Sequence, residues 1–225
     1  MEATLLSFFN KTNSILESFL DSFVNGFRSS NGKAYEFSVF DYQINDCKGC
    51  TEDIFFQPGG ECKCEDDFNS IYPFLHKSDL LIFALDLEHP RILNELTKVL
   101  LRMEPLFQIP INGANELPSK KIFSILFSRS NNQNAQIAVQ LIEEFATLYN
   151  YELLGIVHRS NCHLLEYLPE SITKSFGFEA DFFNLAQEMC KTGKLHENLR
   201  DRIEREFLPQ DSLFREIVAL MGRSF

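Results

Sequence analysis

The sequence predicts an α/β protein in which a five-stranded parallel sheet lies between two layers of helices. Three observations carry this. Asp79-Leu-Leu-Ile-Phe-Ala-Leu85 and Lys121-Ile-Phe-Ser-Ile-Leu-Phe127 are near-continuous apolar runs of strand length, the pattern of strands covered on both faces. Strand-like and helix-like segments alternate over residues 1–160, and parallel strands need the crossovers that helices supply. Hydrophobic residues make up 44% of the 225 positions, with 23 phenylalanines, which suits one domain with a large core and argues against disorder.

Taken in order, Ala3–Leu6 is a short strand at the start of the chain. Asn13–Phe27 places Ile15, Leu16, Phe19, Leu20 and Phe23 at helical spacing, so it reads as an amphipathic helix. Ala34–Phe40 alternates and is rich in β-formers, ending at Asp41. A cysteine-rich loop follows, then a short helix over Phe68–His76. The two apolar strands bracket a helix at Ile92–Met103 and a loop, Pro105–Pro118, marked by Pro, Asn and Gly. Asn134–Tyr149 is an amphipathic helix, and Tyr151–Val157 is the fifth strand. Right-handed crossovers are then expected, and the strand order 2-1-3-4-5, one of the two common doubly wound orders, is the natural choice. After Val157, the stretches Ala180–Lys191, Leu195–Phe207 and Ser212–Met221 read as helices with no strands between them. The expected organisation is therefore a domain at 1–160 and a helical extension at 161–225, packed on that domain or on a partner subunit.

The formal charge is −11 and the sequence pI is near 4.9. Such a field repels phosphate backbones and anionic lipid surfaces, which argues against nucleic acid and membrane as partners. A phosphate-bearing ligand would need local donors such as a helix N-terminus. The start, Met-Glu-Ala-Thr-Leu-Leu, lacks a basic segment before an apolar one, and no run is long enough to span a bilayer. Six cysteines without an export signal point to the cytoplasm, with free thiols or metal ligands in preference to disulfides.

Four of the six cysteines lie in Cys47-Lys-Gly-Cys50 … Pro58-Gly-Gly-Glu-Cys62-Lys-Cys64-Glu-Asp66-Asp67-Phe68. This segment resembles the C-x-G-C … P-G-x-C-x-x-x-D-D-M pattern of flavodoxin-like NAD(P)H-dependent FMN reductases and their iron–sulfur flavoprotein relatives. Ser7-Phe-Phe-Asn-Lys-Thr-Asn13-Ser14 is similar to the family's S-P-R-x-x-G-N-T phosphate loop, with Phe9 in place of the Arg and Thr12 in place of the Gly. After the third strand, Leu85-Asp86-Leu87-Glu88 stands where the family has S/T-P-x-Y, and Leu101-Arg102 stands at its D-R. After the fourth strand, Ser128-Arg129-Ser130-Asn131-Asn132 replaces a loop that usually contains Gly.

The resemblance implies a flavodoxin-like three-layer fold and a cytoplasmic homodimer. It also implies an FMN cofactor reduced by NAD(P)H that passes electrons to a small-molecule acceptor. The phosphate would be held by Ser7, Asn13 and Ser14, and the ring would lie between Leu85, Asp86, Leu87 and Glu88 on one side and Ser128, Arg129 and Ser130 on the other. No side chain need act as acid or base, because the flavin carries the chemistry. His158, Arg159 and His163 follow the fifth strand at the same sheet edge.

Three readings of the cysteines stand side by side. Cys47, Cys50, Cys62 and Cys64 could close a sulfur site for zinc or an iron–sulfur cluster, although the third cysteine of the cluster-binding relatives is Asp53 here. Cys47 and Cys50 could be a redox dithiol, against which Glu52 and Asp53 raise the thiol pKa. The favoured reading is that they are small apolar groups shaping a loop, with Asp66 and Asp67 capping the next helix and the loop itself at the dimer interface and flavin edge. Beside the reductase stands a different class of protein: a family member that keeps the sheet but binds no flavin, fills the cleft with Phe8 and Phe9, and serves as an interaction or regulatory subunit.

Overall fold

A computed structural model of the chain describes residues 1–9, 14–49, 62, 64–107, 120–128, 133–167, 173–174 and 176–205. Its centre is a sheet of β1 (Glu2–Phe8), β2 (Lys33–Ser38), β3 (Leu80–Asp86), β4 (Lys121–Ser128) and β5 (Glu152–Ser160). The strands pair in the order β2-β1-β3-β4-β5, every pair parallel. The three inner strands are buried along almost their whole length, as their unbroken apolar runs require.

Side chains alternate across the sheet and build two cores. Leu6 and Phe8 of β1 and Leu81, Phe83 and Leu85 of β3 face one layer, made of α2 (Tyr72–Lys77), α3 (Ile92–Met103) and α4 (Gln133–Leu148). Ala3, Leu5, Leu80, Ile82, Phe123, Ile125 and Phe127 face the other, made of α1 (Ser14–Ser29) and α5 (Phe178–Thr192). The second layer is built largely on phenylalanine: Phe19 stacks on Phe182 at 5.2 Å and on Phe127 at 6.3 Å, and Phe23 stacks on Phe123 at 5.8 Å. Helices α1 and α5 approach so closely that a Cβ added to Gly26 would lie 2.1 Å from the Phe183 carbonyl oxygen.

The described part of residues 161–205 thus shares a core with β1, β3 and β4. It also covers the β5 edge. Helix α6 (Glu197–Glu204) lays its last turn along that strand: Glu204 Oε1 accepts from the His158 backbone N–H at 3.0 Å, and the fully buried Arg159 donates to Ile203 O at 3.0 Å and to Arg205 O. An open strand edge is a template for wrong pairing, and here a helix and a buried cation occupy it. The opposite edge, β2, carries charge: Lys33 pairs with Glu2 and Arg28 with Glu36, each at 2.8 Å.

Several boundaries differ from the sequence reading, and two of them bear on the site. Strand β2 stops at Ser38 and Val39–Asp41 forms a 3-10 turn. Strand β5 runs to Ser160, so His158 and Arg159 lie within it and do not follow it; pairing with β4 carries the ladder on. The predicted helix Ser212–Met221 and most of the Pro105–Pro118 loop lie outside the described residues. Among the described residues no helix is long and apolar enough to cross a membrane.

Candidate functional site

The register brings the predicted site residues that are described to one end of the sheet. Ser7 lies opposite Ala84, Phe8 opposite Leu85, Asp86 opposite Phe127, and Ser128 opposite Ser160. This carboxyl edge, with β1 between β2 and β3, is where strand order reverses and where open α/β sheets take ligands. Helix α1 begins at Ser14, shortly after β1 leaves this edge. The N-terminus of a 16-residue helix, the positive end of its dipole, therefore belongs to the same region. Asn13, Arg129 and Ser130 lie outside the described residues, and of Ser14 only the backbone is described.

Ser7 is buried, and its hydroxyl donates across the sheet to Phe37 O at 3.4 Å. Leu85 and Leu87 are buried in the core between the sheet and the first helical layer. Leu87 N–H donates to Phe127 O at 2.9 Å, and Asn134 Nδ2 donates to Leu87 O at 3.2 Å, so the exits of β3 and β4 are tied together. The Asp86 carboxylate accepts from Glu88 N–H at 3.1 Å, closing a short turn. Burial pushes the Asp86 carboxyl above its usual range; the Glu88 N–H opposes this, and the Glu88 and Glu166 charges add to it. Glu88 itself is exposed. Beyond it, the His89 ring lies 4.2 Å from the Phe40 ring, bridging the exits of β2 and β3.

At the end of β4, Ser128 Oγ and His158 Nε2 share a hydrogen bond of 2.7 Å, and Cys162 Sγ meets Ser128 O at 3.7 Å. Burial lowers the His158 pKa from its ordinary value, with the Glu204 charge opposing and the Arg159 charge adding. Ser128 is a candidate from its place after the fourth strand, and the sequence places His158 only at the same sheet edge; their pairing depends on the β4–β5 register, for which a single strand carries no signal. The His163 side chain is outside the described residues.

Phe8 and Phe9 are both buried, Phe8 6.5 Å from Phe83 in one core and Phe9 edge-on to Phe127 at 6.4 Å in the other. They fill the two helix–sheet layers, so their burial belongs to the fold whether or not a ligand is bound.

The cysteine segment is anchored elsewhere. Arg102, in the last turn of α3 and fully buried, donates to Asn45 O at 3.0 Å, to Cys64 O at 3.4 Å and to both oxygens of Asp66, one at 2.9 Å. Asp66 also accepts from Asn45 N–H at 2.8 Å and, as an N-cap, from Phe68 N–H at 3.1 Å. Asp67 does not cap; it accepts from Gln43 N–H at 2.8 Å. One guanidinium therefore clasps both arms of the loop at the far end of α3, roughly 15 Å along the helix axis from Ile92 at 1.5 Å per residue. The described arms of the loop are thus held away from the Asp86–Glu88 turn. The sequence signals for this clasp were an arginine on the inward stripe of α3 and an Asp-Asp turn.

Cys62 and Cys64 are buried and Cys47 is half-buried. Burial and the adjacent Cys62 push the Cys64 thiol up. Cys50 is outside the described residues, and among the described residues no three His, Cys, Asp or Glu side chains are grouped to hold a metal ion.

A flavin mononucleotide asks for anion-binding donors beside an apolar slot for its ring. The start of α1 supplies the positive end of a helix dipole, and the exits of β3 and β4 lie at the same sheet edge. Of the described residues, the start of α1 at the carboxyl edge fits the phosphate of such a group.

No protein-family model matches the sequence, and no curated protein does. Solved structures do match. The NAD(P)H:quinone oxidoreductase from Methanothermobacter marburgensis is similar at TM-score 0.59 and 9% identity, over 84% of this chain and 96% of that one. RosB, solved with bound 8-demethyl-8-formylriboflavin-5'-phosphate, is similar at TM-score 0.55 and 13% identity, over 100% of this chain and 87% of that one. Oxidised flavodoxin 1 from Bacillus cereus is similar at TM-score 0.51 and 11% identity, over 85% and 99%. At such identities the likeness is one of architecture. With its strand order, parallel pairing and two helical layers, the chain has the flavodoxin-like fold.

Proposed function

We propose that this protein is an FMN-dependent reductase that takes electrons from NAD(P)H and passes them to a small-molecule acceptor. The observation that carries the reading is the convergence, on one carboxyl edge of the sheet, of the α1 N-terminus, the Leu85–Glu88 turn and Ser128. A phosphate site and a ring site would then adjoin. The names of the similar structures support it, since they include a quinone oxidoreductase, a flavodoxin and a protein holding a riboflavin phosphate.

In this reading the start of α1, with Asn13 and Ser14, holds the phosphate, and Ser7 fixes the end of β1 beneath it. Leu85 and Leu87 give the ring an apolar floor, Asp86 and Glu88 shape the turn at its edge, and Ser128, Arg129 and Ser130 border its other side. When bound, the flavin supplies hydride and electron transfer. The chain forms a homodimer, and the clustered cysteines are packing groups; the burial of Cys62 and Cys64 supports the second point.

The test is an absorbance spectrum of the protein as purified and after incubation with FMN, each following gel filtration. Flavin bands that travel with the protein and bleach on adding NADH or NADPH are expected. A colourless protein that leaves added FMN free refutes the reductase.

A further inference from the structure

Asp86 closes β3 at the edge where open sheets take ligands, opposite Phe127 of β4. Its carboxyl is half-buried, and only one of its oxygens is held: Oδ1 accepts the Glu88 N–H at 3.1 Å. Among the described residues nothing hydrogen-bonds to Oδ2, and no lysine or arginine pairs with the group. The charged groups within reach, among the described residues, are Glu88 and His89 of its own turn and Glu166 from the turn beyond β5. Burial and the two carboxylates favour the protonated form of Asp86, with the Glu88 N–H and His89 opposing. The turn does not need the charge, since an asparagine accepts the same N–H. A carboxyl with one oxygen anchored and the other open, at the ligand edge of the sheet, is built to hand over a proton.

We propose that Asp86 is the general acid of this site, giving a proton to acceptors that take one up with their electrons. The inference rests on the flavin reading above and goes beyond it, since in that reading no side chain moves a proton. It also names the acceptor class: quinones and other carbonyl-bearing compounds reduced by two electrons. A quinone that takes up a hydride becomes a hydroquinone anion, with its charge on one oxygen. The Asp86 O–H then breaks and an O–H forms on that oxygen. The quinone is reduced by two electrons, NAD(P)H is the reductant oxidised by way of the bound flavin, and the Asp86 carboxylate takes its next proton from water. Oδ1 stays on the Glu88 N–H throughout, so the turn holds the carboxyl still while Oδ2 carries the proton.

The experiment compares the parent with Asp86→Asn at saturating FMN. Each is reduced beforehand with a stoichiometric amount of dithionite, then mixed in a stopped-flow instrument with benzoquinone or with ferricyanide, which takes an electron and no proton. The ratio of the benzoquinone rate to the ferricyanide rate should fall about 100-fold or more in the variant, the scale of a lost general acid. In the parent, the benzoquinone rate should fall as pH rises through the Asp86 value, because only the protonated carboxyl donates; in the variant that fall should be absent. A second readout needs no flavin. In the flavin-free chain labelled with carbon-13, the carboxyl signal that Asp86→Asn lacks should titrate above the ordinary value of about 3.9. A merely structural Asp86 would slow both acceptors alike and leave the ratio unchanged. That result, or a signal that titrates at or below about 3.9, overturns the role while the flavin reading stands. If the parent binds no FMN, the flavin reading fails and takes this role with it.

Discussion

Replacing Arg102 with methionine would remove a guanidinium that is fully buried and bonded to three residues, Asn45, Cys64 and Asp66, with Phe68 lying 5.3 Å beneath it. Breaking a buried ion pair by removing one partner costs about 3–5 kcal/mol, because the other charge is left behind. Here the cost should fall near about 3 kcal/mol, since methionine keeps an apolar stem in place. Asp66 would also keep two donors, Asn45 N–H at 2.8 Å and Phe68 N–H at 3.1 Å. For a chain of this size that loss lowers Tm by about 6–12 °C.

The pH dependence follows from Asp66. Burial raises its carboxyl, but the Arg102 hydrogen bonds and the two backbone N–H groups outweigh this and hold it below the usual carboxylate range. Because its folded pKa is depressed, the pair's contribution is complete above the unfolded value, about 3.9, and is lost as the pH falls through the folded value. Urea melts followed by circular dichroism should show the full parent–variant gap at pH 7 and a narrower one below about pH 4. Adding Asp66→Asn to Arg102→Met should recover part of the loss. A single variant within 1 kcal/mol of the parent, or a gap that widens in acid, would refute the clasp as a stabilising element.

Two further perturbations test other parts of the fold and site. Gly26→Ala places a methyl carbon 2.1 Å from Phe183 O, so α1 and α5 must separate, and chemical denaturation should show a loss of about 1–3 kcal/mol; an unchanged midpoint would mean that the helices are not in contact as described. Asp86→Asn keeps an oxygen to accept the Glu88 N–H but no longer has a charge to bury. Since the folded Asp86 carboxyl is raised, the native state binds its proton more tightly, and parent stability falls as pH rises from about 3.9 through the folded value. The variant should therefore be more stable than the parent at pH 7, by about 0.5–2 kcal/mol, with the gain vanishing near pH 3; a variant less stable than the parent at neutral pH would contradict the burial argument.

The carboxyl edge illustrates how far linear patterning reaches. Leu80–Asp86 and Lys121–Ser128 could be recognised as central strands because burial on both faces demands unbroken apolar sequence, and their exits were then candidate site loops by position alone. That Ser7 bonds to the Phe37 carbonyl, and that Ser128 bonds to His158, depends on which residues stand opposite each other in neighbouring strands. The hydroxyl pattern is the same whether a serine faces a ligand or a neighbouring strand. Position 101 in α3 shows the limit again. Leu101 is 46% exposed and Arg102 is wholly buried, the reverse of what hydropathy assigns, because a carboxylate some 36 residues earlier in the chain is available to pair with the arginine.

By itself the sequence determined the class and the count of the strands, since these follow from local periodicity; handedness left more than one order open, and the structure decided on β2-β1-β3-β4-β5. It also determined that the cysteine segment is a distinct loop, through its composition. Tertiary structure alone decided that residues after the fifth strand complete the α1 layer and cover the β5 edge, that one arginine clasps the cysteine loop at the far end of α3, and that His158 lies within a strand beside Ser128. Each of these is a contact between residues some 30 or more apart in sequence, and such pairs are selected by packing and charge complementarity in three dimensions, for which no local pattern exists.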